Sequence, residues 1–116
     1  MNGYFIGNRP AININLNGDI IACIIDTGFN GSLMLSNEYI KKAELPRISS
    51  DIITIADGSE IVVPTYICSF EWCGKNVEVE TIGVNAEENL LGMSLLSNLR
   101  LTVDLMGEVV EIKRIK

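Results

Sequence analysis

Apolar and polar residues alternate along most of this chain, and the few places where the alternation stops are the informative ones. Ile12, Ile14 and Leu16 alternate with Asn and Ala, the period-2 signature of a half-buried strand. Asn17-Gly18 follows between two apolar runs, and a type I′ hairpin turn needs positive φ at both positions, so a hairpin is predicted there. Its return strand, Asp19 to Ile25, runs into Asp26. "SLMLS" (32–36) reads as another short strand. Ser36 is then placed to cap a short helix over "EYIKKA", with Glu38 in its first turn and Leu45-Pro46 as its stop. Residues 51–72 predict a second hairpin: "DIITIA", a turn at "DGSE", then "IVVPTYICSFEW". Pro64 in the return strand implies an edge or a bulge. Cys73 to Asn76 is a turn, "VEVETIGV" (77–84) alternates as a strand, and 85–89 is a polar loop. At "LLGMSLLSNLR" (90–100) the period lengthens, and Leu95, Leu96 and Leu99 suit a short amphipathic helix capped by Ser94. "LTVDL", a turn at Met106-Gly107 and "EVVEIKRI" complete a terminal hairpin. Many short strands with frequent turn signals point to one all-β domain spanning residues 1–116.

Composition narrows the function classes. The chain has 116 residues, 47% of them hydrophobic and 21% charged, which suits one globular core. Apolar runs are too short for a membrane helix, and the first residues lack the basic-then-apolar pattern of a signal peptide, so no membrane partner and a cytoplasmic location are expected. Three cysteines do not make a disulfide framework and fit a reducing compartment. The net charge of −6 and scattered Lys and Arg argue against a nucleic-acid partner. Histidine is absent. Ser-His and Cys-His nucleophile systems and the common His-ligated zinc sites are therefore excluded, leaving carboxylates, thiols, lysines and tyrosines for any chemistry. Cys68 and Cys73 flank a turn, but only Cys23 remains to join them, too few for a closed zinc site, so no metal or other cofactor is expected. Cys23 and Trp72 read as packing residues.

One stretch resists a purely structural account. "CIIDTGFNGS" (23–32) puts a carboxylate at the end of an apolar strand, where a lone charge is costly unless it is paired or reaches water. Asp26 is either a turn residue, since Asp, Thr and Gly all favour turns, or it has a partner. That partner could be another copy of itself.

Four features stand in order: Asp26-Thr27-Gly28 at a strand end, a hairpin near 54–66 with the small polar tip Asp57-Gly58-Ser59, Leu90-Leu91-Gly92 about 65 residues after the Asp, and a short helix before the last strands. This order resembles the retropepsin-like aspartic proteases, most of all small bacterial members with "DTGF" where viral ones have "DTGA", and the resemblance covers roughly residues 10–115. It implies an all-β, acid-protease closed barrel with one or two short helices and one lobe per chain. It also implies a homodimer acting as an aspartic endopeptidase on peptide or protein substrates. The catalytic residues implied are Asp26, Thr27 and Gly28: Asp26 facing its copy across the two-fold axis, the Thr27 hydroxyl bonding across that axis, Gly28 allowing close backbone approach. Phe29, Asp57, Gly58 and Ser59 are implied for substrate binding, the last three as the tip of a flap, and Gly92 is implied to pack beneath the active-site loop. Phe29 departs from the viral pattern, and a ring there either narrows a pocket or anchors the loop. The flap lacks a Gly-rich tip, and plain hairpin chemistry explains Asp57-Gly58-Ser59 equally well. Asp104 is a turn-adjacent carboxylate and the weaker candidate for a second acid. A non-catalytic homodimeric peptide-binding module on the same fold is the rival reading.

Overall fold

The computed structural model describes residues 1–115. Ten strands, one α-helix and one 3₁₀ turn follow in the order β1 (Tyr4–Ile6), β2 (Arg9–Leu16), β3 (Asp19–Ile25), β4 (Leu33–Ser36), α1 (Asn37–Ala43), β5 (Arg47–Thr54), β6 (Glu60–Trp72), β7 (Lys75–Val84), β8 (Leu90–Leu91), the 3₁₀ turn Met93–Leu96, β9 (Leu99–Asp104) and β10 (Val109–Arg114). Eight strands form one sheet in the order β1-β2-β3-β8-β4-β7-β6-β5, and β9 pairs with β10. The sheet wraps one core of Ile12, Ile14, Leu16, Ile21, Leu33, Leu35, Leu91, Trp72 and their neighbours, closed at one end by Val110 and Ile112 from β10.

The alternation predicted the strands because a half-buried strand buries every second side chain. β2 shows it plainly: Ile12, Ile14 and Leu16 are buried while Asn13 and Asn15 face water. Asn17 (φ 53°) and Gly18 (φ 94°) make the expected tight turn, and β2 pairs with β3 from Ala11↔Ile24 to Leu16↔Asp19. Cys73 and Gly74 form a second such turn, with positive φ at both positions. It is two residues shorter than the segment 73–76 suggested, because Lys75 and Asn76 already pair with Trp72 and Glu71.

Several boundaries moved, each for a tertiary reason. β5 begins at Arg47, not 51, because the long β6 supplies partners as far as Tyr66. Its register shifts between Arg47 and Ser49, and Pro64 sits one residue before the β6–β7 ladder starts at Thr65. A residue without an N–H is tolerated there because no strand lies on that side to receive one. Ser36 is the N-cap of α1, but its side chain makes no capping bond. The helix is ended by Glu44 in the left-handed region (φ 52°), whose N–H reaches the carbonyls of Ile40 and Lys41, before Leu45-Pro46 is reached. The expected amphipathic helix capped by Ser94 is instead a four-residue 3₁₀ turn capped by Gly92, and Leu99 already belongs to β9. β1 and the two-residue β8 were not predicted, since strands this short carry too little pattern. Cys23, Cys68 and Cys73 are free thiols, the first two buried. Trp72 packs edge-on against Phe70 and donates its Nε1–H to Leu95 O at 2.9 Å.

Candidate active site

Asp26 follows directly on β3, in a turn whose backbone is bonded at nearly every step. β3 runs parallel to β8, with Ile25 opposite Leu91, and the Asp26 N–H continues that ladder by donating to Leu91 O at 2.9 Å. The Gly28 N–H donates to Asp26 Oδ1 at 2.9 Å, and the Phe29 N–H to Asp26 O at 3.2 Å. The Asp therefore orders its own turn with one carboxylate oxygen. The other oxygen, Oδ2, accepts no hydrogen bond among the described residues. Asp26 is half-buried, while Thr27 and Gly28 are exposed beside it. Asp26 is thus both a turn residue and a half-exposed carboxylate, and the first does not exclude the second. A β-carbon on Gly28 would lie 3.2 Å from Asp26 Oδ1, so glycine relieves crowding there.

The loop after Gly28 is held from below by the chain's later half. Gly92 donates its N–H to Ser32 O (2.9 Å), Met93 to Phe29 O (2.8 Å) and Ser94 to Gly31 O (3.2 Å). The Ser94 hydroxyl donates to Asn30 O at 2.6 Å. A β-carbon on Gly92 would overlap Gly31 O and lie 2.6 Å from both Phe29 O and Phe29 Cδ2. The absence of a side chain at 92 is what lets the two segments touch. The Phe29 ring covers Gly31 and Gly92. It is not among the residues of the cleft that holds Asp26.

That cleft has a volume of about 450 Å³ and is lined by Asp26, Thr27, Ile24, Arg9, Leu101 and Val103, with others. Arg9 forms an ion pair with Glu88 at its edge. A second cavity of about 480 Å³, lined by Trp72, Lys75, Leu95 and Arg114 among others, contains no residue of the Asp-Thr-Gly turn.

Asp57, Gly58 and Ser59 form the exposed tip joining β5 to β6. Gly58 has φ 88°, and Ile55 and Ser59 close the turn with an N–H to carbonyl bond of 2.9 Å. The Asp57 carboxylate accepts from the Ser59 hydroxyl (2.6 Å) and the Ser59 N–H (2.8 Å), and these bonds hold it below the ordinary carboxylate value. Within one chain the tip does not line the Asp26 cleft.

Sequence reasoning passed over Asn89, which lies in the segment read as a polar loop. It is buried at 5% exposure and bonds in three directions. Its Oδ1 accepts the Ser36 N–H (3.0 Å), its Nδ2 donates to Ala22 O (3.2 Å), and its carbonyl accepts the Ile24 N–H (2.8 Å). It ties β3 to β4 just beneath the Asp26 turn. The signal available was an Asn directly before Leu90-Leu91-Gly92. Leu101 and Val103 were likewise read only as strand residues. Asp104 accepts the Gly107 N–H at 2.9 Å, a turn-adjacent role as expected.

No family model matches the chain, and no curated protein matches it. Solved structures do. EIAV protease in complex with the inhibitor HBY-793 aligns with a TM-score of 0.67 and 16% identity, over 81% of this chain and 90% of that one. A retropepsin-like aspartic protease from Rickettsia conorii aligns with a TM-score of 0.63 and 17% identity, over 98% of this chain and 89% of that one. At such identities the likeness is one of fold: this chain has the retropepsin-like aspartic protease fold.

Proposed function

We propose that the chain is an aspartic endopeptidase that works as a homodimer, each copy supplying one Asp26. The observation that carries this reading is the Asp26-Thr27-Gly28 turn, set at the end of β3 with the Asp26 and Gly28 N–H groups bound and one carboxylate oxygen left open, on a retropepsin-like fold. Residues 1–116 are taken as one such domain, of the small bacterial type with Phe after the Gly. The free thiols support a reducing, cytoplasmic setting.

A closed two-fold dimer brings like residues together at its axis, so Asp26 meets its copy. Two carboxylates that close cannot both ionise, so the pair holds one proton. The ionised member takes a proton from a water between them as that water attacks the scissile carbonyl carbon. The protonated member hydrogen-bonds to the carbonyl oxygen and stabilises its developing charge. Collapse of the tetrahedral intermediate breaks the C–N bond, and the leaving nitrogen receives the proton that the Asp26 pair took from the water, which returns the pair to its one-proton state. Thr27, exposed beside Asp26, bonds through its hydroxyl to the other copy's loop in this reading. The β5–β6 arm, with Asp57-Gly58-Ser59 at its tip, closes over an extended peptide and excludes water. Phe29 serves this site from beneath, by fixing the loop.

The test is cleavage of a mixed peptide library from about pH 4 to about pH 7.5, read by mass spectrometry, with Asp26→Asn as the control. Cleavage by the wild type alone supports the reading. A folded wild-type dimer that binds peptides and cuts none overturns it in favour of a peptide-binding module.

A further inference from the structure

The cavity of about 480 Å³ beside Trp72 takes no part in the chemistry proposed above, yet it has the size of a small-molecule pocket and walls to match. Its floor is apolar. Strand alternation puts Lys75, Val77 and Val79 on one face of β7 and Asn76, Glu78 and Glu80 on the other. Val77 and Val79 are half-buried on the cavity face. Leu95 from the 3₁₀ turn and Leu99 from the start of β9 complete the floor. Trp72 closes one side. Its Nε1–H is already used on Leu95 O (2.9 Å), so the indole offers only carbon to the cavity.

The mouth is polar and cationic. Lys75 and Arg114, both exposed, stand at it. Neither has an acidic partner among the described residues, whereas Arg9, Lys42 and Lys113 do. Arg114 is anchored, since its Nη2 donates to Cys73 O at 2.6 Å, and the other N–H groups of its guanidinium remain for a ligand. Ser97 and Asn98 add exposed polar side chains to the rim. Glu78 is the one acidic residue along the described walls, and its side chain leaves from the opposite face of β7.

We infer that this cavity is a binding site for a small apolar carboxylate, with its hydrocarbon body on Val77, Val79, Leu95 and Leu99 and its anionic end between Lys75 and Arg114. The walls select the class. A neutral apolar molecule leaves both cations unused, a cation is repelled by them, and a small inorganic anion gains nothing from the floor. A carboxylate fits the guanidinium fork through parallel N–H bonds, and the Lys75 ammonium adds a point charge. Burial of the body supplies the affinity, and the charges supply the selectivity. The site is also joined to the Asp26 loop, because its inner wall includes Ser32, Ser94 and Leu95. The Ser94 N–H and hydroxyl hold Gly31 O and Asn30 O, and Ser32 O accepts the Gly92 N–H. A ligand on this wall therefore acts on the loop from behind. The site does not depend on the protease reading, since nothing in it requires Asp26 to meet its copy.

The experiment titrates the isotopically labelled full chain with octanoate and with indole-3-acetate and follows the backbone amide shifts. Either acid is expected to move Val77, Val79, Leu95 and Leu99, with a dissociation constant of about 1 mM or below, and to move Asn30 and Gly31 with the same midpoint. The tighter of the two identifies the body as chain or ring. Octanol, of equal length and uncharged, is expected to bind about fivefold more weakly or worse, and octylamine more weakly still. Lys75→Glu is expected to weaken octanoate by about tenfold. Arg114→Gln, whose amide still donates to Cys73 O, is expected to weaken it by about threefold. Floor residues that do not move at about 10 mM acid, shifts confined to the exposed apolar residues of the β5–β6 arm, octanol binding as tightly as octanoate, or a Lys75→Glu chain of unchanged affinity each overturn the site. Shifts at the floor without any at Asn30 and Gly31 overturn its link to the loop. These outcomes separate from the protease reading: a chain that binds octanoate here and cuts no peptide keeps the site and loses the activity, and one that cuts peptides and binds no acid does the reverse.

Discussion

The Asp26 loop and the β5–β6 arm are both turns between strands, and they are stabilised in opposite ways. The loop is fixed from outside itself. Its backbone meets Leu91, Gly92, Met93 and Ser94, and the Phe29 ring covers the contact. The outer part of the arm, residues 51–62, is fixed by its own ladder and by Asp57 bonding to Ser59. It leaves large apolar side chains in water: Ile52 is 59% exposed and Val62 is 70% exposed. A group that must hold an attacking water within hydrogen-bond reach needs the first kind of support. A segment that must open and close over a substrate needs the second, since local opening is cheap where few buried contacts are lost.

The largest effect expected on this contrast is on activity. Asp26→Asn is expected to lower peptide cleavage by about a thousandfold or more, read as kcat/KM on one cleaved peptide. Its melting temperature should stay near that of wild type, because the Asn carbonyl still accepts the Gly28 N–H. A large drop in melting temperature would mean that the carboxylate is structural first.

Gly92→Ala comes next. The added carbon meets two carbonyl oxygens that cannot both retreat, and a loss of about 3 kcal/mol in denaturant unfolding is expected. Phe29→Ala, at a half-buried ring, is expected to cost about 1–2 kcal/mol by the same measurement. If either is neutral, the loop is not held as described.

The scaffold of the loop carries a pH signature. Burial, and then the neighbouring Cys68, pushes the Cys23 thiol from 9.0 up to about 12, and burial pushes Cys68 up to about 11. The folded protein thus keeps these protons where the unfolded chain gives them up. Their contribution is fully present below pH 9.0 and is lost as pH rises from there toward about 12. Stability measured against pH should fall across that window, and Cys23→Val should flatten the fall. An unchanged slope would refute the assignment.

On the arm, Ile52→Ser and Val62→Ser should each change stability by less than about 0.5 kcal/mol, since both side chains are already in water. A several-fold rise in KM is nonetheless expected if the arm meets substrate. An unchanged KM would reduce the arm to an ordinary hairpin. The smallest effect lies at its tip. The lowered Asp57 value means that its bonds to Ser59 are present above the ordinary carboxylate value of 3.8 and are lost as pH falls through the lowered one. The Ser59 amide resonance should move in that acid range and lose the movement in Asp57→Asn.

Much of this architecture was legible because its signals are local. Asn17-Gly18 predicts its turn since few residue pairs accept two positive φ angles, and β2 declares itself by alternation. Asp26-Thr27-Gly28 was legible as chemistry because a carboxylate ending an apolar strand has to be explained. Asn89 was not. A buried Asn satisfied by Ser36, Ala22 and Ile24 looks, in sequence, like any other polar residue of a loop. Ser94 had the residue type of a cap, and its hydroxyl turned out to hold the loop at Asn30 instead.

The sequence by itself determined the β class, the positions of the hairpin turns, and a candidate carboxylate followed by Thr and Gly, because each depends on the steric limits and polarity of neighbouring residues. Only the tertiary structure decided what stands beneath that carboxylate, where β5 begins, and which strand the first residues dock on. Those depend on contacts between residues far apart in the chain, such as Gly92 with Phe29 and Met1 with Ile112. A pattern along the chain does not say which distant segment will supply a partner, and the backbone's hydrogen bonds are satisfied by whichever segment the fold brings there.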